Sequence, residues 1–340
     1  MTLFLHALGH FHPASEITNE FLESLDIGTD DEWIMDRVGI RSRRTVLPLD
    51  YIKSTKNADI RVAMEVAEIG TWQMSARAAE MALKRAGVPV SDIGLVIAGS
   101  SASDWQSPAD ACMIAAELGI DVPAFDVNSA CTSFLAQMHV LSMMQPEKLP
   151  DFILICGADS LTKTVDYADR SASVLWGDGA AAAVISTRER GAARVLGTTF
   201  ASRPSGADKV VVPRAGYFGQ DGRTVQTFAI RKTTLCFDAL RDRFDTEGRP
   251  FHFVGHQANL RMLEAVCRRA EIPEALHHFN VEWYGNTGAA SSAGVISMNW
   301  EKWNPNDDIA VVGVGAGLTW ASYLLRFDSA DDSGRDGEAS

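Results

Sequence analysis

The 340-residue chain has no apolar run approaching the about 18 residues that a membrane-spanning helix needs. Disulfide chemistry is also missing: the five cysteines, at 112, 131, 156, 236 and 267, show no close pairing and leave one over. That argues against a disulfide framework and against a zinc site. Basic residues are in deficit, 31 Lys+Arg against 44 Asp+Glu, for a net charge of −13. Nucleic acid and anionic membrane are therefore not expected partners. The start, MTLFLHALGHFHPAS, lacks a basic n-region and reads as a first β-strand, so the cytoplasm is the expected compartment. His277-His278 has no third ligand at a sensible interval, so no metal is expected. The run GVGAG (Gly313–Gly317) lacks G-x-G-x-x-G spacing, and DRSASVLWGDG lacks that of a P-loop. An unrelated oxidoreductase is disfavoured by the missing dinucleotide spacing.

What is present is an α/β pattern with ample core, 46% of the residues being hydrophobic. Ile93–Ser101, Pro123–Ser129, Phe152–Ala158 and Ala180–Ser186 read as strands buried on both faces. Between them, ADACMIAAEL and CTSFLAQMHVLSMM carry apolar residues at helical spacing. The second half repeats the first: FHFVGHQAN echoes LVIAGSS, VEWYGNTGA echoes FDVNSACT, and DIAVVGVGA echoes FILICGADS. Gly99 to Cys131 is 32 positions and Gly255 to Asn286 is 31; Cys131 to Gly157 is 26 and Asn286 to Gly313 is 27. Two similar halves, 1–188 and 189–328, are expected, joined near TRERGAAR, with 329–340 an acidic tail expected to be disordered. Of the cysteines, Cys112 and Cys267 fit buried helical positions.

The echo places Cys131 and Asn286 at equivalent strand-to-helix turns and His256 at a strand end, where ligands gather in α/β folds. A thiol beginning CTSFLAQMHVLSMM would sit at a helix N-terminus, which favours its thiolate. The plainer reading is a packed core cysteine. A lone histidine is more often structural than chemical, and an asparagine between Gly285 and Gly288 is often a turn former. Together, at matching strand ends, the three make a Cys-His-Asn set.

DEWIMDRVGIRSRR, FDVNSACTSF, DRSASVLWGDGAAAAV, VGHQANLRM, YGNTGAASS and GVGAGLTWASYLLRF resemble the signature segments of the β-ketoacyl-acyl-carrier-protein synthase III family. These are thiolase-fold condensing enzymes, and the segments occur in family order from Thr29 to Phe327. The resemblance implies a five-layered αβαβα homodimer built from duplicated halves. It implies that Cys131 takes an acyl group from acyl-coenzyme A, with no permanently bound cofactor. A malonyl thioester, on acyl carrier protein or coenzyme A, then loses CO₂ and condenses with that acyl group. His256 and Asn286 would donate hydrogen bonds to the developing enolate, and the backbone N–H groups of Cys131 and Ala316 would form the oxyanion hole. Trp33 and Arg170 would sandwich the adenine of coenzyme A, Thr29 and Arg37 would hold the nucleotide, and Asn259 would meet the pantetheine arm. Arg261 and Arg268, seven apart on one helix face with Arg269 beside them, are the expected docking stripe for an acidic carrier protein.

The chain also departs from the family pattern. Ala316 stands where glycine is usual, Asn128, Ser129 and Thr132 replace small apolar residues around the thiol, and Gly288 replaces a common serine. The segment Val46–Gly70 is long and is expected near the tunnel mouth as a flap or extra helix. Ser107 stands where a bulky residue often closes the partner subunit's acyl pocket, so longer acyl groups are expected to fit. Transfer to an oxygen or nitrogen acceptor, head-to-head joining of two acyl-CoAs, and a non-catalytic acyl-binding partner are the alternatives. Fatty acid initiation and a specialised ketide or lipid pathway both remain open.

Overall fold

The computed structural model describes residues 2–328, so the acidic segment 329–340 lies outside the described residues. The main sheet has nine strands: β1 (Leu3–Phe11), β2 (Ile93–Gly99), β3 (Ala124–Asp126), β4 (Phe152–Asp159), β5 (Gly179–Ser186), β6 (Ala193–Ser202), β7 (Phe251–Gly255), β8 (Asp308–Gly315) and β9 (Thr319–Phe327). Their spatial order is β7-β8-β9-β6-β1-β5-β4-β2-β3. Outward from β1, the first half runs first, fifth, fourth, second, third. Outward from β6, the second half repeats that order, its third position being a single bridge between Phe253 and His277. In both halves the outer strands pair in parallel, β4-β2-β3 in the first and β8-β7 in the second, and the last strand, β5 or β9, is antiparallel to both its neighbours. Within the sheet the halves join where Leu3–Leu5 pairs with Ala193–Val195.

The near-continuous apolar strands have a simple cause: both their faces are covered. Leu95 and Ile97 of β2 enter a core shared with Phe134, Leu135, Ile296 and Val311. Their neighbours Val96 and Ala98 enter another, with Ala79 and Leu83. The shared core contains the helices Ser133–Ser142 and Ser291–Met298, which follow Cys131 and Asn286, and each packs on strands of both halves. Outside lie Thr71–Ala86 and Asp110–Glu117 on one half, with Gly222–Phe244 and Leu260–Ala270 on the other. The result is five layers, αβαβα. Phe134 and Leu135 are essentially fully buried, each worth about 2 kcal/mol of apolar burial. That anchors the turn carrying Cys131.

Four expectations need correction. β3 is a three-residue edge strand, not a strand covered on both faces, and Phe125 on it is 37% exposed. Cys112 beside it is exposed and Cys267 half-buried, whereas Cys156 on β4 is the buried thiol. No strand precedes Asn286; VEWY forms a short helix, Val281–Tyr284, because the strand position next to β7 is taken by His277. Val46–Gly70 forms two short helices, Leu49–Thr55 and Ile60–Val66, but it borders a second cavity, with Ile60, Arg61 and Met64 in its wall. That cavity, about 420 Å³, is separate from the one holding Cys131. No helix among the described residues is long and apolar enough to cross a membrane.

Candidate active site

Cys131 lies two residues before the helix Ser133–Ser142, in a turn closed by Thr132 N–H donating to Ser129 O (3.1 Å) and Ser133 N–H donating to Ala130 O (2.9 Å). The turn is tight enough that Ala130 takes φ +49°. Hydroxyl groups extend it across the seam. Ser129 Oγ and Thr132 Oγ1 are 2.8 Å apart, as are Thr132 Oγ1 and Thr319 Oγ1, and Thr319 donates to Ala316 O (3.1 Å). The polar residues around the thiol therefore latch it to the glycine-rich turn of the other half. At Gly315 a Cβ would fall 3.3 Å from Cys131 N and 3.2 Å from Thr132 N, so a side chain there would push the Cys131 turn by a few tenths of an ångström. Ala316 follows immediately and lines the same cavity as Cys131.

His256, at the end of β7, is buried, and its Nδ1 lies 2.7 Å from Ser291 Oγ. Burial holds its pKa down to about 4, so the ring is neutral at physiological pH. Asn286 is 5% exposed, and its Oδ1 accepts from Gly288 N–H (3.0 Å), which leaves the side-chain NH₂ for a ligand. Cys131 itself corrects an expectation. The helix N-terminus does not dominate: burial, reinforced by the charge of Asp159, pushes the thiol up to about 12. The resting group is a protonated thiol.

One cavity of about 240 Å³ brings Cys131, His256, Asn286, Ala316, Asn259 and Arg37 together. Its apolar wall includes Trp176, Phe218, Phe228 and Leu318, with Trp176 and Phe218 edge to face at 4.7 Å. None of these four was singled out from sequence, because an aromatic in an apolar run looks the same whether it faces core or cavity. Ser291 was missed for a similar reason, as one hydroxyl among several in GAASSAG.

The remaining sequence-derived residues lie elsewhere. Trp33 is in the helix Asp31–Arg37, whose N-cap Asp30 accepts from Trp33 N–H (2.8 Å). The Arg170 guanidinium sits 4.7 Å from the Trp33 ring centroid and donates to Gly28 O, so the two stack directly on each other. Thr29 Oγ1 is buried without a hydrogen-bond partner among the described residues. Asn259 caps the helix Leu260–Ala270, accepting from Met262 N–H (2.8 Å). Arg261 is not on a free stripe: it donates to Met35 O (2.7 and 3.0 Å) and pairs with Glu264 (3.0 Å). Arg268 and Arg269 are exposed. Ser107 is exposed and does not line the Cys131 cavity of its own chain. Among the described residues no cluster of three His, Cys, Asp or Glu side chains could hold a metal.

A cysteine at a helix N-terminus, facing a neutral histidine and an anchored asparagine amide across the seam of a duplicated αβαβα fold, is the arrangement of thiolase-fold condensing enzymes. Profiles for 3-oxoacyl-[acyl-carrier-protein (ACP)] synthase III and for its C-terminal part match residues 125–204 and 251–327. The β-ketoacyl-[acyl-carrier-protein] synthase III of Sulfurovum sp. (strain NBC37-1) is 32% identical, covering 94% of this chain and 94% of its own. The crystal structure of 3-oxoacyl-[acyl-carrier-protein] synthase III from Aquifex aeolicus VF5 matches with a TM-score of 0.84 at 28% identity, covering 96% of this chain and 100% of that one. The priming β-ketosynthase of the R1128 polyketide biosynthetic pathway matches at 0.78 and 26%, covering 96% of each. The chain belongs to the β-ketoacyl-acyl-carrier-protein synthase III family and is a condensing acyltransferase of that type.

Proposed function

We propose that Cys131, His256 and Asn286 are the catalytic set of a decarboxylative Claisen condensation primed by acyl-coenzyme A. The observation that carries this is the single cavity in which a thiol, a neutral imidazole and an anchored amide meet. In the first half-reaction the Cys131 sulfur attacks the acyl-CoA carbonyl, the bond from carbonyl to coenzyme A sulfur breaks, and the thiol proton leaves with coenzyme A. The apolar wall at Trp176, Phe218 and Leu318 receives the acyl chain. In the second, the malonyl carboxylate leaves as CO₂ and its bonding electrons form an enolate. The enolate carbon attacks the Cys131 thioester, and the sulfur departs and regains a proton.

The electrostatics suit that division. A donor to the enolate oxygen must stabilise charge without surrendering a proton to carbon. A histidine kept neutral by burial and an amide NH₂ both satisfy this. The backbone N–H groups of Cys131 and Ala316, on two turns that line one cavity, would hold the acyl oxyanion.

Coenzyme A fits the mouth. Arg37 and Asn259 line it, the orphaned Thr29 hydroxyl offers a hydrogen bond, and an adenine between Trp33 and Arg170 requires the exposed Arg170 to swing off the indole. Arg268 and Arg269 are the exposed cations available to an acyl carrier protein, with Arg261 tied to Met35. A homodimer would cover the β3 edge, where Phe125, Trp105 (57%) and Met143 (66%) are exposed. The two catalytic halves are taken as 1–188 and 189–328, and the setting as the cytoplasm, with the pathway either fatty acid initiation or a specialised ketide route.

The test follows labelled CO₂ from carboxyl-labelled malonyl thioester. Release that requires prior acylation, disappears in Cys131→Ala and accompanies a β-ketoacyl product supports the reading. Acylation without release would make the enzyme an acyltransferase to another acceptor.

A further inference from the structure

Asp159 ends β4 and is fully buried. Its Oδ1 accepts from Ser101 N–H (2.7 Å), Ser100 Oγ (3.0 Å) and Ala102 N–H (3.2 Å). Its Oδ2 accepts from Ala289 N–H (2.7 Å) and Ser101 Oγ (2.8 Å). Four of these five bonds bind the loop after β2, in the first half. The fifth reaches the turn of the second half that carries Asn286. Five donors and no partner cation among the described residues is the environment of a carboxylate held by neutral groups alone.

The turn it grips is compact. Gly288 N–H fixes Asn286 Oδ1, the next N–H, of Ala289, goes to Asp159, and Ser291 two residues on holds His256 Nδ1 (2.7 Å). Gly288 adopts φ +55°, and a Cβ there would overlap Asp159 Oδ2 and lie 2.7 Å from its Cγ. The carboxylate thus fills the volume that a side chain at 288 would take.

We infer that Asp159 is a positioning residue: its carboxylate clamps the 286–291 turn, and with it both donors to the enolate, onto the first half. This rests on the roles proposed for Cys131, His256 and Asn286. The charge has a chemical consequence. Burial raises the Asp159 pKa and its hydrogen-bond donors oppose that rise; once ionised, it disfavours a thiolate at Cys131. This agrees with the high thiol pKa, to which Asp159 adds after burial. The other ionisable groups around the carboxylate do not offset it. Asp110 feels Asp159 together with Asp126 and Asp104, Lys163 is paired with Asp104, and His256 is neutral.

The experiment measures Cys131 alkylation by iodoacetamide against pH, read by intact mass, alongside acylation and condensation rates. Asp159→Asn removes the charge at constant size. Its alkylation curve should move at least about one unit to lower pH, so that alkylation is about tenfold faster at a given pH below the midpoint, and its condensation rate should fall. Ser101→Ala removes one donor, the hydroxyl to Asp159 Oδ2, but keeps the charge, and its alkylation curve should stay in place. Should Asp159→Asn not fold, Gly288→Ala displaces the turn while retaining the carboxylate. It should lose condensation with little change in alkylation. A folded Asp159→Asn protein with an unmoved alkylation curve and full condensation overturns the inference, as does full condensation in Gly288→Ala. A wild-type chain never acylated at Cys131 defeats the parent reading instead, and the alkylation curves still decide whether Asp159 governs the thiol.

Discussion

Replacing Asn286 with alanine separates two quantities that the structure predicts independently. In the proposed mechanism the amide NH₂ is one of two donors to the enolate oxygen, and loss of one preorganised donor of this kind costs about 3–4 kcal/mol in the transition state, a factor of about 10²–10³ in rate. The Oδ1 atom has a separate task, accepting from Gly288 N–H at 3.0 Å in a buried turn. Leaving that N–H without a partner costs about 1–3 kcal/mol of stability. In the same mechanism acyl loading uses Cys131 and the oxyanion amides rather than Asn286, so loading should survive. The assay is single-turnover: load the enzyme with acyl-CoA, quantify acyl-Cys131 by mass, then add malonyl thioester and follow thioester loss and β-keto product. Asn286→Ala should load within a few-fold of wild type and then condense about 10²–10³ more slowly. His256→Ala should do the same, and the double variant should lose less than the product of the two, because both donors serve one oxygen. Condensation at the wild-type rate in Asn286→Ala would refute the reasoning, and so would a loading defect as large as the condensation defect.

Other outcomes follow from the same coordinates. Thr132→Val cuts the hydroxyl latch between the two turns and should lower stability by about 1–3 kcal/mol, read by chemical denaturation, with Thr132→Ser retaining wild-type stability. His6, His10, His12, His256, His277 and His278 all have lowered folded-state pKa values, several at about 3–4. They outnumber Asp110, Asp159 and Asp178, which are raised. The unfolded chain therefore binds more protons below pH about 6.5, the unperturbed histidine value, and stability should be lost as pH falls from there toward 4. Thermal melts should show a falling Tm over that window, and a flat or rising Tm would contradict the assignment. Phe125→Glu with Met143→Glu places charge on the exposed β3 edge and should convert a dimer to monomer by light scattering. Ser107→Phe should shift preference toward short acyl-CoAs, and an unchanged chain-length profile would remove Ser107 from the acyl pocket.

Much of the architecture was legible because the same physics writes it into sequence and structure. Strands covered on both faces must be apolar along their length, which is why β2, β4 and β5 could be read directly. The echo between halves located Cys131, His256 and Asn286 because strand ends meet at a seam. What escaped depends on long-range partners. The strand expected before Asn286 is a helix because His277 takes its position. Cys112 looked like a core residue by helical spacing, yet it is exposed, its Sγ 3.6 Å from Ala124 O on the edge strand β3. The Cys131 thiol was expected to ionise easily because helix dipoles can be read from sequence, whereas burial and the distant Asp159 cannot. Arg261 lies on the expected face, but the Met35 carbonyl, 226 positions away, claims it.

The most direct test of the central claim is the intact mass of the enzyme mixed with acyl-CoAs from acetyl to dodecanoyl, with Cys131→Ala as control. The account predicts one acyl adduct per chain, absent in the variant and cleared by malonyl thioester with a β-ketoacyl product. An adduct that persists in Cys131→Ala, or no adduct with any donor, would contradict it.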